Sequence, residues 1–218
     1  MTIRMKHKMN LLVTLNEAYL PYLNTLLFSV IYHNPDTYFT VYLLHTSIRE
    51  EMTEQTKVIL GTSGELVLIV AKGHGLDDAP TTDRFPKEMY YRIFAAKYLP
   101  EDVDRVLYLD PDIIVNGSLN ELYEMPLGEN YFAAASHNGI MMRLFNGARL
   151  GLKRGCPYVN SGVLLINLEK LRQEQKYEEV FYYIQKKKRR LLLPDQDVIS
   201  GLYGERIYTL DSHIYNMT

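Results

Sequence analysis

Val106-Leu107-Tyr108-Leu109-Asp110-Pro111-Asp112 reads as a short buried strand that runs straight into two carboxylates. Four consecutive apolar and aromatic residues suit a strand covered on both faces. Along an extended chain, side chains two residues apart point to the same side. Asp110 and Asp112 can therefore converge on one cation, provided the chain turns slightly at Pro111. Carboxylate oxygens are hard ligands that suit Mg²⁺ or Mn²⁺, and such an ion keeps positions open for diphosphate oxygens. In open α/β sheets ligands sit beyond the carboxyl ends of the strands, which is where this pair lies. A second reading stands beside this one, in which Asp110 starts a turn and Asp112 is a solvated loop acid.

Working outward, the upstream chain alternates strand and helix patterns. Residues 10–15 (Asn-Leu-Leu-Val-Thr-Leu) form an apolar run of strand length. Leu23, Leu26, Leu27, Val30 and Ile31 then recur at helical spacing, which predicts a helix over 21–33. Residues 39–44 read as a second strand. Ser47 and Glu50 form a capping-box pattern that predicts a helix over 48–60, and 66–70 read as a third strand. This alternation is the signature of parallel α/β packing. Residues 72–86 read as a loop and 87–99 as a helix, while 113–115 continue extended beyond the acid pair. Further strands are expected at 131–135, 163–166 and 207–210. A long helix is expected over 168–188, and a short one opens at Pro194, a residue favoured in the first helical turn. No internal repeat or interdomain linker interrupts the 218 residues, so one domain is expected.

The formal net charge of -2 offers no basic excess for nucleic acid. The single cysteine, Cys156, excludes an internal disulfide and paired-cysteine zinc sites, and it fits a reducing cytoplasm. The basic N-terminus is not followed by the apolar stretch of about 7–15 residues that marks a signal peptide. No apolar run approaches the roughly 20 residues needed to span a bilayer. No Gly-x-Gly-x-x-Gly follows the first strand, which argues against a Rossmann dehydrogenase.

Three other places carry candidate chemistry. Tyr158-Val159-Asn160-Ser161-Gly162 precedes an apolar run, and Asn160 offers both donors and an acceptor to hydroxyl groups. It also fits a simple turn into a strand. Asp195-Gln196-Asp197 follows Pro194. Acids there suit a helix N-terminus, and the same side chains can bind sugar hydroxyls or flank a reacting carbon. Arg92 lies in an apolar and aromatic segment, where it either snorkels to the surface or pairs with an acid or a diphosphate. The basic run Lys186-Lys187-Lys188-Arg189-Arg190 reads as a solvated helix end or as a contact with an anionic membrane.

Val13-Thr14-Leu15-Asn16-Glu17-Ala18-Tyr19, Tyr91-Arg92, residues 106–112, residues 158–167 and Asp195-Gln196-Asp197 occur in this order. Together they resemble glycosyltransferase family 8, from about Asn10 to the end of the chain. The resemblance implies a GT-A fold, a Rossmann-like arrangement with a mixed, mostly parallel central sheet flanked by helices. It implies a retaining transfer of glucose or galactose from a UDP-hexose to a glycan or lipid-linked saccharide, carried out in the cytoplasm or at the inner face of the membrane. It places Val13, Thr14, Asn16 and Tyr19 around the uridine and Arg92 at the diphosphate and sugar. Asp110 and Asp112 would bind Mn²⁺ or Mg²⁺, Asn160 and Ser161 would line the donor sugar, Asp195 would hold its hydroxyls, and Gln196 would sit near the anomeric carbon.

The family pattern also includes a third metal ligand, a histidine in a late His-x-x-Gly-x-x-Lys-Pro-Trp-like segment. This sequence has no tryptophan and no such segment. His213 precedes the place where that segment would fall and reads as an ordinary surface or packing histidine, as do His7, His33, His45, His74 and His137. The expectation is a GT-A domain lacking its C-terminal part, with weakened metal binding. Residues 1–218 are accordingly expected to turn over UDP-sugar slowly or not at all. A steady-state assay returning ~1 s⁻¹ or faster would contradict that expectation.

Overall fold

Seven strands form one sheet in the computed structural model, which describes residues 7–71, 87–136 and 139–217. They are β1 (His7–Thr14), β2 (Thr37–His45), β3 (Gly64–Val70), β4 (Arg105–Leu109), β5 (Phe132–Ala135), β6 (Val163–Asn167) and β7 (Ile207–Leu210). The order across the sheet is β3-β2-β1-β4-β6-β5-β7. β6 is antiparallel to both its neighbours, and every other pairing is parallel. The expected mixed, mostly parallel sheet is present, with each strand candidate in place.

Side-chain alternation sorts the core into two layers. Leu12, Tyr42, Leu44, Val106, Tyr108, Leu164 and Ile166 point to one face. Leu11, Val13, Val41, Leu43, Leu107, Leu109 and Leu165 point to the other. Both faces are covered, which is why these strands read as continuous apolar runs rather than alternating ones. Helices α1 (Leu20–His33), α2 (Glu54–Leu60) and α4 (Asn120–Glu124) cover the second face through residues such as Leu23, Leu27, Leu60 and Leu122. The first face is covered by the 87–98 segment, α6 (Leu168–Glu174), α7 (Tyr177–Lys187) and α8 (Pro194–Tyr203). Each fully buried Leu or Phe contributes roughly 1.5–3 kcal/mol.

The helices depart from expectation in instructive ways. The helix expected over 168–188 is broken at Gln175 and Lys176 into α6 and α7. Leu171 and Val180 are both buried, yet they are nine positions apart, or two and a half turns. In an unbroken helix they would face opposite ways. The break also turns Gln175 inward, where Nε2 donates to the carbonyl of Ile93 (3.0 Å) and to the Tyr203 hydroxyl (2.8 Å). The 87–99 segment is a 3-10 helix over Lys87–Phe94 followed by the short α3 (Ala95–Tyr98). Residues 88–96 are all buried, so that stretch has no solvent face, and exposure returns only at Lys97. The capping box at Ser47 does not form. A 3-10 turn over Glu50–Thr53 leads into α2 instead, with Arg49 at its N-terminus and no side-chain cap. Residues 113–115 do not pair as a strand. Two helices were not anticipated, α4 and α5 (Ile140–Leu150). The loop expected at 72–86 lies outside the described residues, as do His74 and His137.

β3 approaches β2 closely at its first residue. A Cβ on Gly64 would lie 2.4 Å from the Phe39 carbonyl oxygen and 3.1 Å from the Phe39 Cβ. The Gly64→Ala variant should lose roughly 1–3 kcal/mol through this overpacking, read as a lower urea midpoint at unchanged slope. An unshifted midpoint would show that the β2–β3 edge yields.

Candidate functional site at the carboxyl edge of β1 and β4

β1 lies between β2 and β4, so the strand order reverses direction there. Open α/β sheets bind ligands at such a switch point, beyond the carboxyl ends of the strands. β1 ends at Thr14 and β4 at Leu109. Because β6 runs the opposite way, with Val163 opposite Leu109, its entry segment Asn160-Ser161-Gly162 arrives at the same edge. The Asp110 amide donates to the Gly162 carbonyl (2.8 Å). The Asn160 amide donates to Ala135 (2.8 Å), and its side-chain oxygen accepts from the Gly162 amide (2.9 Å). A Cβ on Gly162 would sit 2.9 Å from Asp110 Oδ2, so glycine is what lets the carboxylate lie against this turn.

A cleft of about 540 Å³ opens here. It is lined by Thr14, Asn16, Tyr19, Arg92, Asp110, Asp112, Asn160, Ser161, Asp195 and Gln196. Val13 is the exception among the expected site residues, because its side chain is buried in the core layer. Leu15, Glu88, Met89, Pro111 and Leu193 also line the cleft and were not anticipated. Glu88 had a signal: it is an acid four residues before Arg92 in an otherwise apolar segment. Its carboxylate accepts from Thr46 Oγ1 (2.8 Å). Asn16 caps the 3-10 turn Glu17–Tyr19 by accepting from the Ala18 amide (3.1 Å), so it shapes the rim that carries Tyr19.

Arg92 does not snorkel. It is 6% exposed, and its Nη1 lies 3.0 Å from Asp110 Oδ1, 3.2 Å from Asp195 Oδ2 and 3.1 Å from the Ser161 carbonyl oxygen. Its guanidinium carbon stands 4.0 Å over the Tyr108 ring. The Tyr108 hydroxyl donates to Asp110 Oδ1 (2.5 Å). Burial pulls the guanidinium pKa down, but Asp110, Tyr108 and Asp195 outweigh it and hold the group above its ordinary value. Asp195 is 3% exposed. Burial pushes its carboxyl pKa up, against the pull of Arg92 and a hydrogen bond from Ser161. The contact of its Oδ2 with Arg92 is an ion pair without hydrogen-bond geometry, so this buried oxygen lacks a hydrogen-bond donor among the described residues.

Asp197 takes the structural part of the Asp195-Gln196-Asp197 motif. It is fully buried and accepts from the Leu192 amide (2.6 Å) and the Leu193 amide (3.2 Å) at the start of α8. Arg149 of α5 grips it with two nitrogens, at 2.6 and 2.7 Å. The Tyr158 hydroxyl donates to it at 2.7 Å and is itself hydrogen-bonded by Gln196.

The described histidines stand apart from the cleft lining. His213 is exposed, with its backbone amide on Asp211 Oδ1. His45 is buried, with Nδ1 accepting from Ile48, and burial lowers its pKa. Among the described residues no group of three or more His, Cys, Asp or Glu gathers to hold a metal. The lining still fits a cation. Among the described residues it carries four carboxyl groups (Glu88, Asp110, Asp112, Asp195) against one guanidinium, and the exposed Asp112 stands beside Asp110 at the mouth. Two carboxylates with oxygens from a phosphate-bearing ligand and water make an ordinary Mg²⁺ or Mn²⁺ shell.

The model of glycosyl transferase family 8 matches residues 10–218. The chain is 31% identical over 201 residues to the glycosyltransferase GlyE of Streptococcus pneumoniae serotype 4, covering 91% of this chain and 45% of GlyE. It is 28% identical over 188 residues to a lipopolysaccharide 1,2-glucosyltransferase of Escherichia coli, covering 80% of this chain and 52% of that protein. It thus spans about half the length of these curated relatives. Among solved structures, the galactosyltransferase LgtC in complex with donor and acceptor sugar analogs matches with a TM-score of 0.84 at 27% identity, covering 94% of this chain and 74% of that one. With the cleft built from the residues that carry the sequence resemblance, the chain belongs to glycosyltransferase family 8 and has the GT-A fold.

Proposed function

We propose that this chain is the donor-binding GT-A domain of a retaining hexosyltransferase, which moves glucose or galactose from a UDP-sugar to a glycan or lipid-linked saccharide. The observation that carries this reading is the convergence of Asp110, Asp112, Arg92, Asn160, Ser161, Asp195 and Gln196 on one cleft at the switch point. The electrostatics support it. A diphosphate entering a lining whose described residues carry four carboxyls and one guanidinium meets net repulsion. Asp110 and Asp112 would hold a divalent ion there, which would offset most of that charge and would stabilise the departing UDP by several kcal/mol.

The remaining roles follow from the chemistry of each side chain. Thr14, Asn16 and Tyr19 form the wall for the nucleoside. Arg92 holds Asp110 in place and offers positive charge near the diphosphate. Asp195 Oδ2, buried without a hydrogen-bond donor among the described residues, accepts from a sugar hydroxyl, with Asn160 and Ser161 alongside. Gln196 is neutral and a poor covalent nucleophile. It therefore shapes and stabilises an oxocarbenium-like sugar while the acceptor attacks from the side the leaving group departs. A second reading, a UDP-sugar binder without turnover, draws support from the lack of a third acid or histidine beside Asp110 and Asp112 among the described residues.

Calorimetric titration of UDP with and without Mn²⁺ tests the site. The expected result is metal-dependent binding that disappears in Asp110→Ala/Asp112→Ala. Binding indifferent to metal would favour the non-catalytic reading, and no binding to the wild-type chain would count against the donor site itself. The start of α8, and with it Gln196, depends on the Arg149–Asp197 pair. Arg149→Met leaves the buried Asp197 carboxylate without its counter-charge and should cost about 3–5 kcal/mol in urea denaturation, with weaker UDP binding. A loss below about 1 kcal/mol, the range of surface pairs, would show that the clamp is dispensable.

A further inference from the structure

α5 carries its apolar stripe on the outside. Met141, Leu144 and Phe145 fall at helical spacing and are 85%, 70% and 55% exposed, with Met142 beside them also exposed. Among its described side chains, those it turns inward are Asn146, which is buried and accepts from Arg149, and Leu150. A helix covering a core does the reverse. The far end of this helix is pinned to the basic run at the end of α7. Arg149 Nη1 donates to the Arg190 carbonyl, Arg190 Nη1 reaches back to the Arg149 carbonyl at 3.5 Å, and Lys187 Nζ lies 3.5 Å from the position of a Cβ on Gly151. Lys186-Lys187-Lys188-Arg189-Arg190 thus borders the stripe. Burial, then repulsion from Arg190 and Lys186, lowers the Lys187 pKa, as crowded like charges would. Leu192 and Leu193 follow the run, both exposed, and Leu193 also lines the cleft. One continuous surface therefore leads from exposed methionine, leucine and phenylalanine, over five basic residues, to the mouth of the cleft.

We propose that this face docks on an anionic lipid surface. The α5 stripe enters the boundary between headgroups and acyl chains, as interfacial helices do. The basic run binds acidic headgroups, and the cleft mouth is held at the lipid surface. Charge complementarity selects this occupant. A second copy packed on the same face by two-fold symmetry would bring its five basic residues towards this chain's own, whereas an acidic lipid surface satisfies both the charge and the apolar stripe. Among the described residues no helix is long and apolar enough to cross a membrane, so contact here is peripheral.

Co-sedimentation with vesicles tests this without donor or turnover, so a failure here leaves the donor-site reading intact. The chain is mixed with phosphatidylcholine vesicles and with vesicles that also contain phosphatidylglycerol, at low and high salt. The wild-type chain should bind the anionic vesicles and largely ignore the neutral ones. Lys186→Gln/Lys188→Gln/Arg189→Gln should weaken partitioning on the order of a hundredfold. Leu144→Ser/Phe145→Ser should remove the part of the binding that survives high salt. All these positions are at the surface, so both variants should keep the wild-type melting temperature. Equal binding to both vesicle types, or none to either, would overturn the proposal. So would a wild-type dimer that the serine variant dissolves while neither protein binds vesicles.

Discussion

A buried guanidinium has to be compensated, and the way Arg92 is compensated organises this site. Its Nη1 meets the end of β4 through Asp110, the entry to β6 through the Ser161 carbonyl and the start of α8 through Asp195. Three segments distant in sequence are thereby held to one charge, with the Tyr108 ring beneath it. Removing one member of such a buried group typically costs about 3–5 kcal/mol, because the partners stay buried and unpaired. That penalty gives the edge a single geometry. The Arg149–Asp197 pair does the same one layer back, fixing the first turn of α8 from behind.

The antiparallel direction of β6 is the topological counterpart of that pairing. A parallel strand in this position would have delivered its amino end, and Asn160 and Ser161 with it, to the opposite edge of the sheet. Reversal places them beside Asp110, and Gly162 lets the two backbones meet with a carboxylate lying where a Cβ would be. The result is a cleft whose walls come from the ends of two parallel strands, the start of one antiparallel strand and a helix N-terminus. Each wall is continuous with a strand or helix of the fold, which is how the proposed site would orient its ligand.

The strands were legible because both faces of the sheet are buried, so each appears as an apolar run bounded by turn residues. Asp110 and Asp112 were legible because an acid pair directly after such a run has few structural explanations. Other features were hidden by tertiary effects. The break between α6 and α7 depends on which way Leu171 and Val180 must face, information that lies in the nine-residue offset rather than in helix propensity. The burial of Arg92 depends on partners nearly 20 and more than 100 positions away. The division of labour between Asp195 and Asp197 cannot be read from spacing, since both suit a helix start, and only the backbone amides of Leu192 and Leu193 decide which one is structural. α5 was hidden by Asn146-Gly147 in its middle, a dipeptide that reads as a turn.

Among the described residues the cleft lining has an acidic excess, and the proposed donor has to meet it. On the proposed reading, a diphosphate would bind with a divalent cation held by Asp110 and Asp112. The most direct test is an anomalous difference map from crystals of this chain grown with UDP and Mn²⁺. The account predicts an anomalous peak within coordination distance of both carboxylates, with the diphosphate on the same ion and Arg92 still bound to Asp110 and Asp195. A manganese peak elsewhere, or a nucleotide outside the cleft, would contradict it.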